Sequence, residues 1–93
     1  MMRIFKYEVP QPNDHCRSYV MMPVNATPVS VGMQGHSMVV WAMVPRPSGL
    51  EDLRRFIVCN TGQDFSDFPG DVKFLGTVED MGIVWHVFDG DGP

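Results

Sequence analysis

Met38-Val-Val-Trp-Ala-Met-Val44 and Gly82-Ile-Val-Trp-His-Val-Phe88 are the two stretches of sequence that decide the fold. Each is a short apolar run, rich in β-branched residues, with a tryptophan at its centre and turn residues on either side. Both runs are too short for a buried helix of ordinary length, so each predicts a strand inside a hydrophobic core. Trp41 and Trp85 are therefore both expected to be core residues.

Further strand patterns lie on both sides of these two runs. Phe5, Tyr7 and Val9 alternate with polar neighbours along the first of them, as in a half-buried strand. Proline, glycine, asparagine and aspartate separate the runs, and these residue types favour turns. The strands are expected over residues 3–9, 18–22, 29–33, 38–44, 55–60, 72–78 and 82–88.

The regular spacing of these strands predicts an all-β domain, a compact antiparallel sandwich or small barrel of about six to seven short strands. Ser48 and Glu51 have the spacing of a capping box, which allows at most one short helix. Residues 1–93 should form a single domain, with 89–93 as a flexible C-terminal tail. The core is expected to contain Phe5, Tyr7, Val29, Val31, Val40, Trp41, Ile57, Val58, Phe74, Val84, Trp85 and Val87.

Charge and hydropathy exclude several classes of protein. The chain of 93 residues has a net charge of −4 and no basic run, so no nucleic-acid partner is expected. No apolar run is long enough to span a membrane, and no secretory signal is recognisable at the N-terminus. The sequence therefore predicts neither a membrane nor a nucleic-acid partner, and an acidic surface would steer a basic protein instead.

Cysteine and histidine residues do not form a catalytic or metal-binding pattern. Cys16 and Cys59 are expected to be free thiols, Cys59 buried and Cys16 in a polar loop. The histidines lack the spacing of a zinc site. His86 is expected to be partly buried and bonded to backbone. No catalytic residue, no cofactor and no metal site are predicted, and the protein is not expected to be an enzyme.

One acidic segment is a candidate for binding a basic surface of another protein. It is the longest irregular stretch of the chain, and phenylalanines alternate there with carboxylates. Aspartates at the rim and aromatic rings at the centre are typical of a protein–protein interface. The predicted partner-binding residues are Asp64, Phe65, Asp67, Phe68 and Asp71.

Short stretches along nearly the whole chain resemble a family of short phage and prophage proteins that share a domain of unknown function. Among these stretches, the most specific are Asn60-Thr61-Gly62 and Val84-Trp85-His86-Val87-Phe88. The resemblance implies a small accessory protein in the cytoplasm of a bacterial host, one that blocks a host protein such as a component of host defence. It implies no activity, so no functional residue is carried over.

Two other functions agree with the same residues. One is an oligomeric protein that sequesters a small nucleotide-like ligand, using Thr61, Gly62 and His86 together with Trp41. The other is a minor virion or assembly component. The sequence leaves the oligomeric state and the identity of the partner open.

Overall fold

The computed structural model of the chain describes residues 1–46, 49–64 and 72–90. This part of the chain contains seven strands and no helix. The strands are β1 (Arg3–Glu8), β2 (Arg17–Pro23), β3 (Thr27–Gln34), β4 (Ser37–Val44), β5 (Glu51–Asn60), β6 (Lys73–Asp80) and β7 (Ile83–Asp89).

The strands form two antiparallel sheets that pack face to face. Sheet A has the order β1-β4-β3, and sheet B has the order β2-β5-β7-β6. Edge strand β3 of sheet A lies close to edge strand β6 of sheet B. A Cβ atom built at Gly76 of β6 would lie 2.9 Å from a methyl carbon of Val31 in β3. The predicted all-β fold class is confirmed, and of the two predicted architectures the chain adopts the sandwich.

Two tight hairpins fix the register of the sandwich. Gly35 and His36 join β3 to β4, and the positive φ of 62° at Gly35 suits the first position of a type II′ turn. Met81 and Gly82 join β6 to β7, both with positive φ. This pair has the geometry of a type I′ turn, whose twist matches that of the flanking strands.

The main core lies between the two sheets and centres on β4, β5 and β7. Phe56 is its largest fully buried side chain. Alternation along each strand brings one face of every strand into this cluster. Its buried members are Val9, Val20, Met22, Ala26, Val40, Ala42, Val44, Phe56, Val58 and Val87, and Tyr7, Val31, Met38, Leu75 and Trp85 pack against them half-buried.

The prediction that Trp41 is a core residue is wrong. Val40 and Ala42 face the other sheet, so alternation places Trp41 on the outer face of sheet A, opposite Lys6 and Ser30. Its indole ring covers Gly32, where a Cβ atom would come within 2.8 Å of the ring. Trp41 therefore shields a glycine on a solvent-facing sheet, and it stays half-buried.

Three other predicted core residues are exposed, each because of its position in a sheet. Phe5 lies on β1, an edge strand, and no strand of the described residues covers its open side. Val29 falls in the β-bulge between Pro28 and Ser30. Phe74 is 56% exposed on the outer face of sheet B, where its ring meets that of Phe88 at 5.3 Å between centroids. Val84, also predicted to be a core residue, is half-buried.

A second hydrophobic cluster covers part of the outer face of sheet B. Ile57, Cys16 and Cys59 are buried there, with Val72 and Phe88 packed against them. Cys16 was expected in a polar loop. Its positive φ of 63° turns the chain just before β2, and its side chain is buried in this cluster.

The predicted helical turn after Ser48 does not form in the described residues, and Ser48 itself lies outside them. From Glu51 onward the chain is strand β5, because Glu51 and Asp52 pair with the end of β2. A ladder of hydrogen bonds to a neighbouring strand takes the place of the short helix.

Asp89, the first residue of the predicted tail, belongs to strand β7. Asp89 ends β7 and is buried, and its carboxylate forms a bidentate pair with the Arg54 guanidinium at 2.7 and 3.1 Å. Gly90 N–H donates to the carbonyl of Arg55 at 2.9 Å. Residues 91–93 lie outside the described part of the chain.

Candidate functional site

A cavity of about 440 Å³ opens at the end of the sandwich where the β3–β4 and β6–β7 turns meet. This volume falls in the range of small-ligand sites. Four separate segments build it: the end of β1 with the following Pro10–Pro12 segment, the β3–β4 hairpin, the end of β6, and β7. Its lining residues are Glu8, Val9, Pro10, Gln11, Pro12, Met33, His36, Ser37, Met38, Asp80 and Trp85.

The apolar part of the cavity is continuous with the core. Trp85 lies on the inner face of β7, opposite Val78 of β6, and packs against the main core. Met38 of β4 packs against the same cluster from the other sheet. The predicted core position of Trp85 is thus confirmed in part, since the half-buried residue also lines the cavity.

The polar residues that line the cavity include two carboxylates. Asp80 shares the inner face of sheet B with Val78. Glu8, at the end of β1, is opposite Val39 of β4, and alternation turns its side chain toward the outer face of sheet A, so it lies at the rim of the cavity. His36 Nδ1 lies 2.9 Å from Asp80 Oδ1 and joins the β3–β4 turn of sheet A to β6 of sheet B. A carboxylate has about four lone-pair sites, so Asp80 can bind His36 and still accept a hydrogen bond from a ligand.

Thr61 and His86, two residues of the predicted ligand site, are in contact on the outer face of sheet B. Thr61 Oγ1 lies 2.7 Å from His86 Nε2, and Thr77 Oγ1 lies 3.2 Å from Nδ1. Hydroxyls can donate or accept, so both ring nitrogens are satisfied in either tautomer. His86 therefore contacts two side-chain hydroxyls and not the backbone group that was expected. Through them it connects β7 to the end of β5 and to β6.

The other residues of that predicted ligand site lie differently. Gly62 follows Thr61 in the turn after β5, with a φ of 84°. Trp41 is on the outer face of sheet A, whereas His86 is on the outer face of sheet B. Trp41 and His86 of one chain therefore face away from each other and cannot share a ligand.

The family model of a domain of unknown function, DUF7352, matches residues 1–93. The chain belongs to DUF7352. No curated protein and no solved structure matches it. Since membership of DUF7352 carries no assigned activity, the function has to be argued from the sites of this chain.

The acidic segment predicted to bind a partner falls mostly beyond the described residues. In this DUF7352 chain Asp64 follows β5 and is exposed. Phe65, Asp67, Phe68 and Asp71 lie outside the part of the chain that the structure describes.

Metal ligands do not converge in the described ranges: no group of three or more His, Cys, Asp or Glu side chains could hold a metal ion there. Likewise, no helix within these residues is long and apolar enough to cross a membrane.

The end cavity was not predicted from the sequence. Glu8, His36 and Asp80 are far apart along the chain, and only the sandwich brings them together. Two signals were available: His36 lies on a predicted turn, and Asp80 lies on the turn that precedes the second tryptophan strand. Neither signal says that the two turns meet at the same end of the domain.

The sequence predicts no catalytic cysteine, and the reactivity of Cys16 and Cys59 in the second cluster tests that prediction. Burial raises the pKa of the Cys59 thiol, and the nearby Cys16 raises it further. A raised pKa means less thiolate at neutral pH than a free cysteine has. We expect both thiols of the folded protein to react with Ellman's reagent far more slowly than the same thiols in denaturant. A thiol that reacts rapidly in the folded protein would contradict this expectation.

Proposed function

We propose that this DUF7352 protein acts by binding: it is a small, non-enzymatic accessory protein of phage type that engages a basic segment of a bacterial host protein and blocks it. The proposed site is the end cavity, and the proposed location is the cytoplasm of the host. The observation that supports this proposal is that Asp80 and Trp85 line one cavity, with Glu8 at its rim. The identification of the host protein as a defence component rests on the resemblance to phage proteins alone.

A lysine or arginine side chain of a partner fits the chemistry of this cavity. The charged end of such a side chain pairs with carboxylates, while its methylene stem packs on apolar surface. Trp85 and Met38 offer that surface, and an indole ring also attracts a cation through its π face. Asp80 supplies a charge-assisted acceptor, which is stronger than a neutral one.

The charge of the whole chain favours the same partner. A net charge of −4 steers a basic surface toward the protein and raises the association rate. The exposed Asp64, and the acidic segment that follows it in sequence, would add to this field. Association should therefore weaken as salt is added, because exposed charges are screened beyond roughly 8 Å at physiological ionic strength.

An isosteric change at Asp80 tests the proposal. The probe is the capped peptide Ala-Lys-Ala, with Ala-norleucine-Ala as its uncharged counterpart, and binding is followed by NMR chemical shifts. Asp80→Asn should weaken binding of the lysine peptide by about ten- to a hundredfold, since a hydrogen bond to a charged group contributes roughly 1.5–3 kcal/mol. Thermal unfolding of each variant checks that the fold is kept.

Glu79→Gln is the matched control, because it removes the same charge from the neighbouring residue of β6, outside the cavity. It should leave the affinity almost unchanged. Equal affinity of the lysine and norleucine peptides, or equal losses in Asp80→Asn and Glu79→Gln, would reject the cavity as the site. A pull-down from host lysate with the wild type and both variants then asks which basic protein is retained.

A second function is favoured by the contact of Thr61 with His86. In an oligomeric protein these residues and Gly62 could contribute hydroxyls and backbone amides to a nucleotide-like ligand. Such a protein should be stabilised by a nucleotide in a thermal-shift assay, and His86→Gln should abolish the shift. A role as a virion component predicts instead that the protein is found in purified particles.

A further inference from the structure

We propose that strand β2 pairs with β2 of a second copy of this chain, so that two copies of sheet B form one continuous antiparallel sheet across a two-fold axis. This inference concerns the open edge of sheet B and not the end cavity, and it goes beyond the proposed function. Two observations indicate a second copy as the partner. The first is the set of backbone N–H and C=O groups of β2 that no strand beside it uses, and the second is the strand register that those groups allow.

The direction of the backbone groups of β2 follows from two hydrogen bonds at its start. The carbonyl of Cys16 accepts from Val58 N–H of β5 at 2.8 Å, so it points into sheet B. The carbonyl of Arg17 accepts from Asn13 N–H at 2.9 Å and points to the other side. Because these directions alternate along a strand, the N–H and C=O groups of Tyr19 and Met21 point away from β5.

These groups have no strand beside them among the described residues, since β2 is the first strand in the order of sheet B. The open edge is short. At one end, Asn13 N–H already donates to the carbonyl of Arg17. At the other end, Ala26 N–H donates to the carbonyl of Pro23. Tyr19 and Met21 are thus the two residues of β2 whose backbone groups can pair with another strand.

The other sheet edges carry the features that prevent edge-to-edge pairing, and β2 does not. Natural edge strands are protected by charges, proline or a β-bulge. Strand β1 has Lys6 near its middle, β3 has Pro28 beside a bulge, and β6 has a bulge near Lys73. Strand β2 pairs with β5 without a register shift, and from Ser18 to Met22 it has neither charge nor proline.

Only one antiparallel register uses both open residues of each strand. It places Tyr19 opposite the partner's Met21, and Met21 opposite the partner's Tyr19, with the axis passing beside Val20. Each such pair exchanges two hydrogen bonds, which makes four in total. The interface is closed and isologous, so it produces a dimer and not a fibre.

The side chains of this register are complementary. Tyr19 and Met21 are 46% and 52% exposed on the outer face of sheet B, beside Leu53, which is 56% exposed. In the dimer the Tyr19 ring lies opposite the partner's Met21, and a methionine sulfur packs favourably against an aromatic ring.

Met21→Pro tests this pairing with little effect on the monomer. The Met21 N–H points away from β5, so its loss removes no bond of the β2–β5 ladder, and proline is tolerated at such edge positions. By symmetry it removes two of the four bonds between the copies. Sedimentation velocity should show twice the chain mass of 10.5 kDa for the wild type and for Met21→Ala, and the single mass for Met21→Pro.

Amide hydrogen exchange on the wild type gives a second readout that needs no folded variant. The amides of Tyr19 and Met21 should be protected at concentrations where the dimer forms and should exchange rapidly on dilution. A wild type that stays monomeric throughout a concentration series would overturn the proposal. So would a dimer in which the Tyr19 and Met21 amides remain unprotected, because its interface would then lie elsewhere.

Discussion

Asp89→Ala is expected to destabilise the fold by about 3–5 kcal/mol, because it leaves the Arg54 guanidinium buried without its carboxylate. The pair is bidentate, with contacts of 2.7 and 3.1 Å, and the side chains of Arg54 and Asp89 are only 17% and 4% exposed. Arg54 also donates to the carbonyl of Ala26 at 3.2 Å, so it joins β5, β7 and the segment before β3. Urea unfolding followed by circular dichroism measures the loss.

The double variant Arg54→Leu/Asp89→Leu separates the cost of an unpaired charge from the value of the pair. Replacing a buried ion pair by apolar residues of similar size is often neutral or stabilising. The double variant should therefore recover much of the stability that Asp89→Ala loses. If Asp89→Ala unfolds at the same urea concentration as the wild type, the guanidinium is well solvated and the pair is not buried in solution.

The position of Asp89 shows what a single sequence can and cannot predict. All seven strands were predicted, because alternation and β-branched runs are local signals. The residue sequence Asp-Gly-Asp-Gly-Pro favours a tail, and no local signal shows that Asp89 meets an arginine 35 positions earlier. Trp41 was misplaced for a related reason: an apolar run predicts burial, but the face toward the core depends on which sheet lies opposite.

The candidate sites divide in the same way. Thr61 and His86 were singled out from short motifs, and the antiparallel pairing of β5 with β7 brings them together. The end cavity depends on two hairpin turns that meet at one end of the sandwich, and sheet order is a property of long-range packing. The open edge of β2 likewise depends on the strand order, which local periodicity does not contain.

Phe56→Ala is expected to cost about 3–5 kcal/mol, enough to unfold much of a marginally stable domain. Phe56 is fully buried between the sheets and is the largest such side chain in the described structure. Its removal leaves a cavity that the neighbouring strands cannot close without breaking their ladders. Trp41→Ala should cost clearly less, because the Trp41 ring is half-buried on an outer face.

Phe74→Ala is the matched control for Phe56→Ala, because the same atoms are removed from a side chain that is 56% exposed. It loses the ring contact with Phe88, and such a contact contributes roughly 0.5–1.5 kcal/mol. Phe56→Leu should recover part of the loss, since it refills most of the space. Comparing the loss of unfolding free energy at the two positions shows whether the inner or the outer face of sheet B contributes more to stability. Equal losses at both positions would mean that the outer cluster, with Ile57 and the two thiols, contributes as much to the fold as the space between the sheets.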